Sequence, residues 1–149
     1  MKKKKKIIGV IEKIVIAGCN GKKKKVLARI DTGAALTSID ETIARKIGYL
    51  ETIKEFEKRL SICEKKILKM NRAERENCFS NTPGLKKYIK INSAHGFSFR
   101  PIVNISLNIN NMDIESEATI IDRSHLKYPV IIGRKDLSGF LVNIISEKI

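Results

Sequence analysis

The sequence predicts a small, mainly β domain: a β barrel with helical additions. Three observations lead there. Apolar and polar residues alternate at strand period in short runs, as where Ala28 and Ile30 interleave with Arg29 and Asp31. Turn-forming clusters stand between the runs: Cys19-Asn20-Gly21, Ser93-Ala94-His95-Gly96 and Asn110-Asn111. A single stretch, 51–78, carries helical spacing instead. With 149 residues the chain is one domain with room for a real core, and too short for two lobes.

Taken in order, Ile7 to Ala17 reads as a long apolar strand interrupted at Glu12-Lys13, and Asn20-Gly21 turns it into a second strand ending near Asp31. Ser38-x-x-Glu41 has the form of a capping box. It opens a helix with Ile43, Ala44 and Ile47 inward, closed by Gly48. Ile53, Phe56, Leu60, Cys63, Ile67 and Met70 then recur every three or four residues among Lys, Glu and Arg. That predicts one long helix over 51–78, supported by a Glu55–Arg59 pair and uninterrupted by Pro or Gly until Pro83-Gly84. It lies against the barrel, or serves as a lid or a seam with a second copy. Strands follow near 88–92, 97–109, 112–121 and 140–145.

Chemistry concentrates at Val26 to Ala34, an apolar strand ending in Asp31-Thr32-Gly33. A carboxylate delivered by a half-buried strand sits where water is scarce, so its pKa is adjustable. Thr32 adds a hydroxyl, and Gly33 lets the chain turn where a Cβ would clash. These three residues alone suit an ordinary Asx turn and a catalytic loop equally well. A second segment tips the balance: Tyr128-Pro129-Val130-Ile131-Ile132-Gly133-Arg134-Lys135-Asp136-Leu137, followed by Phe140-Leu141-Val142-Asn143.

Asp-Thr-Gly-Ala together with Ile-Ile-Gly-Arg resembles the retropepsin-like aspartic proteases. The string Ala118 to Pro129, with Arg100-Pro101-Ile102-Val103, is similar to the subgroup formerly called ATP-dependent zinc proteases. The resemblance covers residues 10–48 and 98–145; residues 51–92 fall outside it. It implies a retropepsin-like closed barrel over residues 7–149, behind a basic tail of residues 1–6. It also implies Asp31 as the catalytic carboxylate, with Thr32 linking two active-site loops across a two-fold axis. Gly33, Ala34 and Ala35 keep the substrate side open. Ile132 lies against substrate, while Ile131, Gly133 and Arg134 support the loop. The hairpin at His95 and Gly96 is the candidate flap, with an ordinary exposed hairpin as the alternative. In familiar members the arginine after Ile-Ile-Gly pairs with an acid just beyond Asp-Thr-Gly-Ala. Here that stretch reads Ala35-Leu36-Thr37, leaving Arg134 to pair elsewhere, with Asp122 or Asp40 as candidates.

Only one Asp-Thr-Gly occurs; Asp40, Asp113, Asp122 and Asp136 are not followed by Thr-Gly or Ser-Gly. Aspartic-protease chemistry needs two carboxyls sharing a proton. A chain with one supplies the pair by meeting a copy of itself, so the expectation is an obligate homodimer acting on a peptide or protein substrate.

Charge offers a competing reading. Thirty Lys and Arg against sixteen Asp and Glu give +14, which suits nucleic acid. Residues 1–25, however, hold ten lysines and one glutamate, and the other 124 residues carry only +5. Aromatics make up 5% of the chain and do not interleave with the lysines, so base stacking has little support. Nucleic-acid contact is expected to be nonspecific, through the lysine-rich tail. His95, His125, Cys19, Cys63 and Cys78 lack metal-ligand spacing, and no phosphate-binding glycine loop occurs, so neither metal nor cofactor is expected. Cys63 reads as seam packing. Three cysteines and no signal-peptide pattern point to a reducing cytoplasm, and the apolar run after Lys6 is too short for a membrane span. Besides the peptidase, a catalytically weak peptide-binding or dimerisation module on the same fold stays open, as does a basic nucleic-acid binder.

Overall fold

Isoleucine spacing becomes barrel wall in the computed structural model, which describes residues 3–145. Met1 and Lys2 of the expected tail and residues 146–149 of the expected domain lie outside the described residues. The strands are β1 (Lys6–Ile8), β2 (Ile11–Ala17), β3 (Lys23–Ile30), β4 (Thr37–Asp40), β5 (Lys87–Ser93), β6 (Gly96–Ile109), β7 (Met112–Ile121), β8 (Val130–Ile132) and β9 (Phe140–Val142). Six of them run in the order β2-β3-β8-β4-β7-β6, and pairing of β2 with β6 at Val15–Asn108 closes the ring. The protein is thus a mostly β closed barrel. Strand β5 hangs outside the ring as the second arm of a hairpin with β6, and β1 and β9 form a separate parallel pair.

Alternate residues of these strands fill the interior. Ile14, Ile16, Ile39, Ile105, Leu107, Ile109 and Ile132 are fully buried there, each contributing about 1.5–3 kcal/mol of transfer free energy. The expected strand 7–17 breaks at Gly9-Val10 rather than at Glu12-Lys13. Glu12 is buried and its carboxylate accepts the Gly9 N–H at 2.7 Å, so the acid braces the bend that separates β1 from β2. Lys13 simply points outward within β2.

The helical part departs from expectation in two places. Ser38 is a strand residue whose hydroxyl meets Thr119 at 2.7 Å, and the cap is Asp40, which accepts from Thr42 N at the start of α1 (Glu41–Ala44). Gly48 closes the first helical stretch, as expected: at φ +110 it leaves helical geometry within the segment Arg45–Tyr49, and a second helix, α2 (Leu50–Cys63), begins at once. A Cβ at Gly48 would lie 2.7 Å from Cys19 Sγ, because the β2–β3 loop docks there through Asn20 on the Lys46 and Ile47 carbonyls. Finally, 51–78 is not one helix. α2 stops at Cys63, and α3 (Arg72–Phe79) starts anew under its own cap, Asn71, which accepts from Glu74 N at 2.9 Å.

This break lets the apolar stripe fold back on itself. Ile53 joins the barrel core, while Phe56, Ile67, Phe79 and Phe99 form a satellite core beside Leu60, Met70, Leu85 and Tyr88. Phe79 stacks on Phe56 at 4.5 Å between centroids and tilts against Tyr88 at 4.7 Å. Cys63, expected as seam packing, is joined to Cys78 as a disulfide, leaving Cys19 free. Among the described residues no helix is long and apolar enough to cross a membrane.

Truncating Phe79 to Ala should lower unfolding free energy by about 3–5 kcal/mol, read from urea denaturation. Ile62→Ala, at a position 73% exposed on the same helical stretch, should stay within about 0.5 kcal/mol of wild type.

Candidate active site

β3 and β8 run parallel with Ile30 opposite Ile132, so Asp31 emerges at the barrel rim one residue past the last pair. Its backbone N–H donates to the Ile132 carbonyl at 2.9 Å, and its own carbonyl accepts from Ala34 N at 3.2 Å. One carboxylate oxygen accepts the Gly33 N–H at 2.9 Å, closing an Asx turn over the half-exposed side chain. A Cβ at Gly33 would sit 3.1 Å from that oxygen. The turn therefore anchors one oxygen of Asp31 to the backbone, and the carboxylate keeps further acceptor capacity.

The loop that follows is shaped by the segment after β8. Arg134 N donates to the Ala34 carbonyl at 2.8 Å, and Lys135 N to that of Ala35 at 3.2 Å. Gly133 N donates to the Thr37 hydroxyl at 3.2 Å; that hydroxyl donates in turn to the buried Asp136 carboxylate, which also accepts from Ser116 at 2.6 Å. Gly133 has no room for a side chain, since a Cβ would fall 2.5 Å from the Leu36 carbonyl carbon and oxygen. Gly133 and Arg134, expected to support the loop, stand against it. Arg134, however, pairs with neither Asp122 nor Asp40. Its guanidinium donates to the Thr32 carbonyl at 3.1 Å, replacing a missing acid with backbone.

Asp40 is occupied instead by Thr42 and by Arg123, whose backbone N donates to it at 2.6 Å. Asp122 accepts from Ser124 N at 2.9 Å. Burial alone would push the Asp40 carboxyl up, but hydrogen bonds from the Thr42 hydroxyl and the Arg123 and Thr42 amides hold it below its ordinary value. Arg123 is itself buried and donates through Nε to the Tyr128 carbonyl at 3.1 Å, tying down the loop between β7 and β8. Burial lowers its pKa. The charges of Asp40 and Asp31 oppose that, while Arg100 and Arg29 reinforce it. Asp31 thus has Arg123 within electrostatic range, and Arg123 in turn has Arg29 and Arg100. The sequence reading missed the roles of Arg123 and Asp136. The signal within reach was Asp136 three residues past Gly133, in the segment already singled out.

Other expected residues fall into two groups. Thr32 and Ala35 are exposed and Ala34 half-buried on the active loop. Ile132, placed against substrate by the sequence reading, is fully buried in the barrel core; Ile131, placed as support, is the partly exposed neighbour. Strand alternation sends the two side chains to opposite faces of β8. His95 and Gly96 occupy the exposed tip of the β5–β6 hairpin, where Ser93 pairs with Gly96 and Gly96 has φ +119. Among the described residues no group of three or more His, Cys, Asp or Glu is placed to hold a metal ion.

A family model described as RimB-like, retropepsin-like aspartic endopeptidase RimB, matches residues 7–147. The chain belongs to that family. The match includes the helical insertion as well as both motif segments. Among solved structures, the chain is similar to Lpg0085, a protein of unknown function from Legionella pneumophila subsp. pneumophila str. Philadelphia 1. Identity there is 12%, covering 95% of this chain and 94% of that one, with TM-score 0.49. It is also similar to the simian foamy virus (mac) protease, at 13% identity, covering 85% and 90%, with TM-score 0.46. No curated protein matches the chain.

Gly133→Ala should cost about 1–3 kcal/mol in urea unfolding through its clash with the Leu36 carbonyl. Asp40 yields a pH prediction. Its folded pKa is depressed, so its stabilisation is present above the unfolded value of about 3.9 and is lost as pH falls through the folded one. Urea midpoints from about pH 6 down to about pH 3 should therefore fall less steeply in Asp40→Asn than in wild type.

Proposed function

We propose that this protein is a homodimeric aspartic endopeptidase. Two Asp31 carboxyls, one from each protomer, hold a water between them. The ionised one removes a proton from that water as it attacks a peptide carbonyl. The protonated one donates a hydrogen bond to the carbonyl oxygen as charge develops there. The observation that carries this reading is the single Asp31-Thr32-Gly33 turn at the rim of a retropepsin-like barrel, with the carboxylate half-exposed and anchored by Gly33 N–H. Membership of a family described as aspartic endopeptidases supports it. So does the arithmetic of one acid per chain against a mechanism needing two.

In the dimer, exposed Thr32 reaches across the two-fold axis. Ala34 and Ala35 line the cleft floor beside Ile131, and the β5–β6 hairpin with His95 and Gly96 covers it. The setting we propose is the cytoplasm, with Cys19 as a free thiol. One observation favours a second reading, a peptide-binding module with little turnover. The acid expected after Ala34 is absent, and Arg134 is spent on the Thr32 carbonyl rather than on an acid that would grip substrate backbone.

Peptidase activity on a random peptide library should fall by about 10²–10⁴-fold in Asp31→Asn while sedimentation still shows the dimer. A dimer with no turnover in wild type selects the binding-module reading. A strict monomer at assay concentrations defeats both.

A further inference from the structure

Cys63 is the last residue of α2 and Cys78 the penultimate residue of α3, fifteen residues apart in sequence. Their Cα atoms stand 6.5 Å apart, within the span a disulfide bridges. Neither is sealed in the core. Both are half-buried, and Ile62, Glu64, Lys65, Glu76 and Asn77 beside them are exposed, so a small thiol can reach the bond.

What the bond holds is weakly held otherwise. α3 has eight residues, too few to persist alone in water, and Phe79 is its sole fully buried side chain. The connection from Glu64 to Asn71 buries only Ile67. Yet Phe79, next to Cys78, contacts both arms of the β5–β6 hairpin: Tyr88 on β5 at 4.7 Å and Phe99 on β6 at 6.2 Å between centroids. β5 is an edge strand with β6 as its one strand partner and no residue fully buried. Its root is therefore set by the aromatic cluster that α3 completes.

We propose that Cys63 and Cys78 are a redox-responsive pair that latches the helical insertion onto the root of the β5–β6 hairpin. The co-reactant is a low-molecular-weight thiol and its disulfide, of the glutathione class. On closing, one cysteine thiolate attacks the small disulfide, releasing one small thiolate and leaving a mixed disulfide. The second cysteine thiolate then displaces the other small thiolate, forming the Cys63–Cys78 bond. The two protons shed by the cysteines end on the two released thiols. Opening is the reverse, and the small thiols are oxidised. With the bond open, α3 separates more often from α2, Phe79 leaves the cluster more often, and the hairpin root loosens. Control of a substrate cleft by this latch rests on the peptidase reading of that hairpin as the flap. The latch itself does not.

The test uses the full chain carrying Cys19→Ser, so that only this pair reports. It is equilibrated over a range of reduced-to-oxidised glutathione ratios. Alkylation with mass spectrometry counts free thiols, and hydrogen exchange reads the backbone. Expected are no free thiols at the oxidising end and two at the reducing end. Amides of residues 72–79 and 87–99 should exchange about tenfold faster when reduced, while those of β3 stay unchanged. Adding Cys78→Ser should give the fast exchange at every ratio, and Cys63→Ser serves equally should that variant fold poorly. Two free thiols at every ratio, or identical exchange in both states, overturns the latch. Turnover measured on the same samples separates the two readings. Faster exchange with no activity in either state removes the peptidase and leaves the latch. A loosened hairpin with unchanged activity removes the latch's control of the cleft.

Discussion

Strand β8 is three residues long, and the candidate site depends on where it lies. It sits parallel to β3 on one side and antiparallel to β4 on the other, and the Ile132 carbonyl receives the Asp31 N–H as the chain leaves the barrel wall. Without that bond Asp31 would belong to an unconstrained connection. With it, the carboxylate stands at a defined point on the rim, and the residues after β8 template the loop 31–37 bond by bond. A parallel pair cannot be joined by a tight turn, so its two strands must come from distant parts of the chain. Loop-closure entropy rises only by about 0.6 kcal/mol for each doubling of loop length. A helical insertion between β4 and β5 therefore adds little to the cost of bringing β3 and β8 together.

Acidic residues sort by how fully their oxygens are used. Glu12 caps a bend, Asp40 caps a helix and holds the Arg123 backbone, and Asp136 gathers Thr37 and Ser116. Each is buried with donors around it, which is how an ionised carboxylate survives away from water. Asp31 differs in being half-exposed, with the Gly33 amide as its anchor. That contrast separates a carboxylate available for chemistry from three that serve as braces. Arg123 stands within electrostatic range of Asp31. It is held in place from within the fold, through the Tyr128 carbonyl.

The insertion joins the barrel to the hairpin. Its stripe was legible as helical because Ile53, Phe56, Leu60, Cys63, Ile67 and Met70 keep helical spacing, and periodicity survives in sequence whatever the stripe packs against. The interruption between α2 and α3 was less legible. No Pro or Gly marks it, and the one local sign is the Asn71–Glu74 cap. Tertiary packing decides the break: Phe79 reaches Phe56 because the second helix folds back, a gain in buried aromatic area that a straight helix forgoes. The same logic moved the cap of α1 from Ser38 to Asp40. Ser38 has a better use in strand β4, opposite Thr119 on β7.

By itself the sequence determined the features whose causes lie within a few residues: alternating runs that become barrel strands, Asn-Gly and Asn-Asn turns, and an aspartate on an Asx turn closed by the Gly33 N–H. Tertiary structure decided which groups meet across long separations. Ile132 rather than Ile131 faces the core because β8 is registered between β3 and β4. Arg134 bonds the Thr32 carbonyl, and Asp40 holds the Arg123 amide, across 102 and 83 residues. Cys63 finds Cys78 because two helices fold back to back. Backbone preference and periodicity are local and can be read along a chain, whereas the partner of a buried charge or thiol is set by which strands and helices end up adjacent.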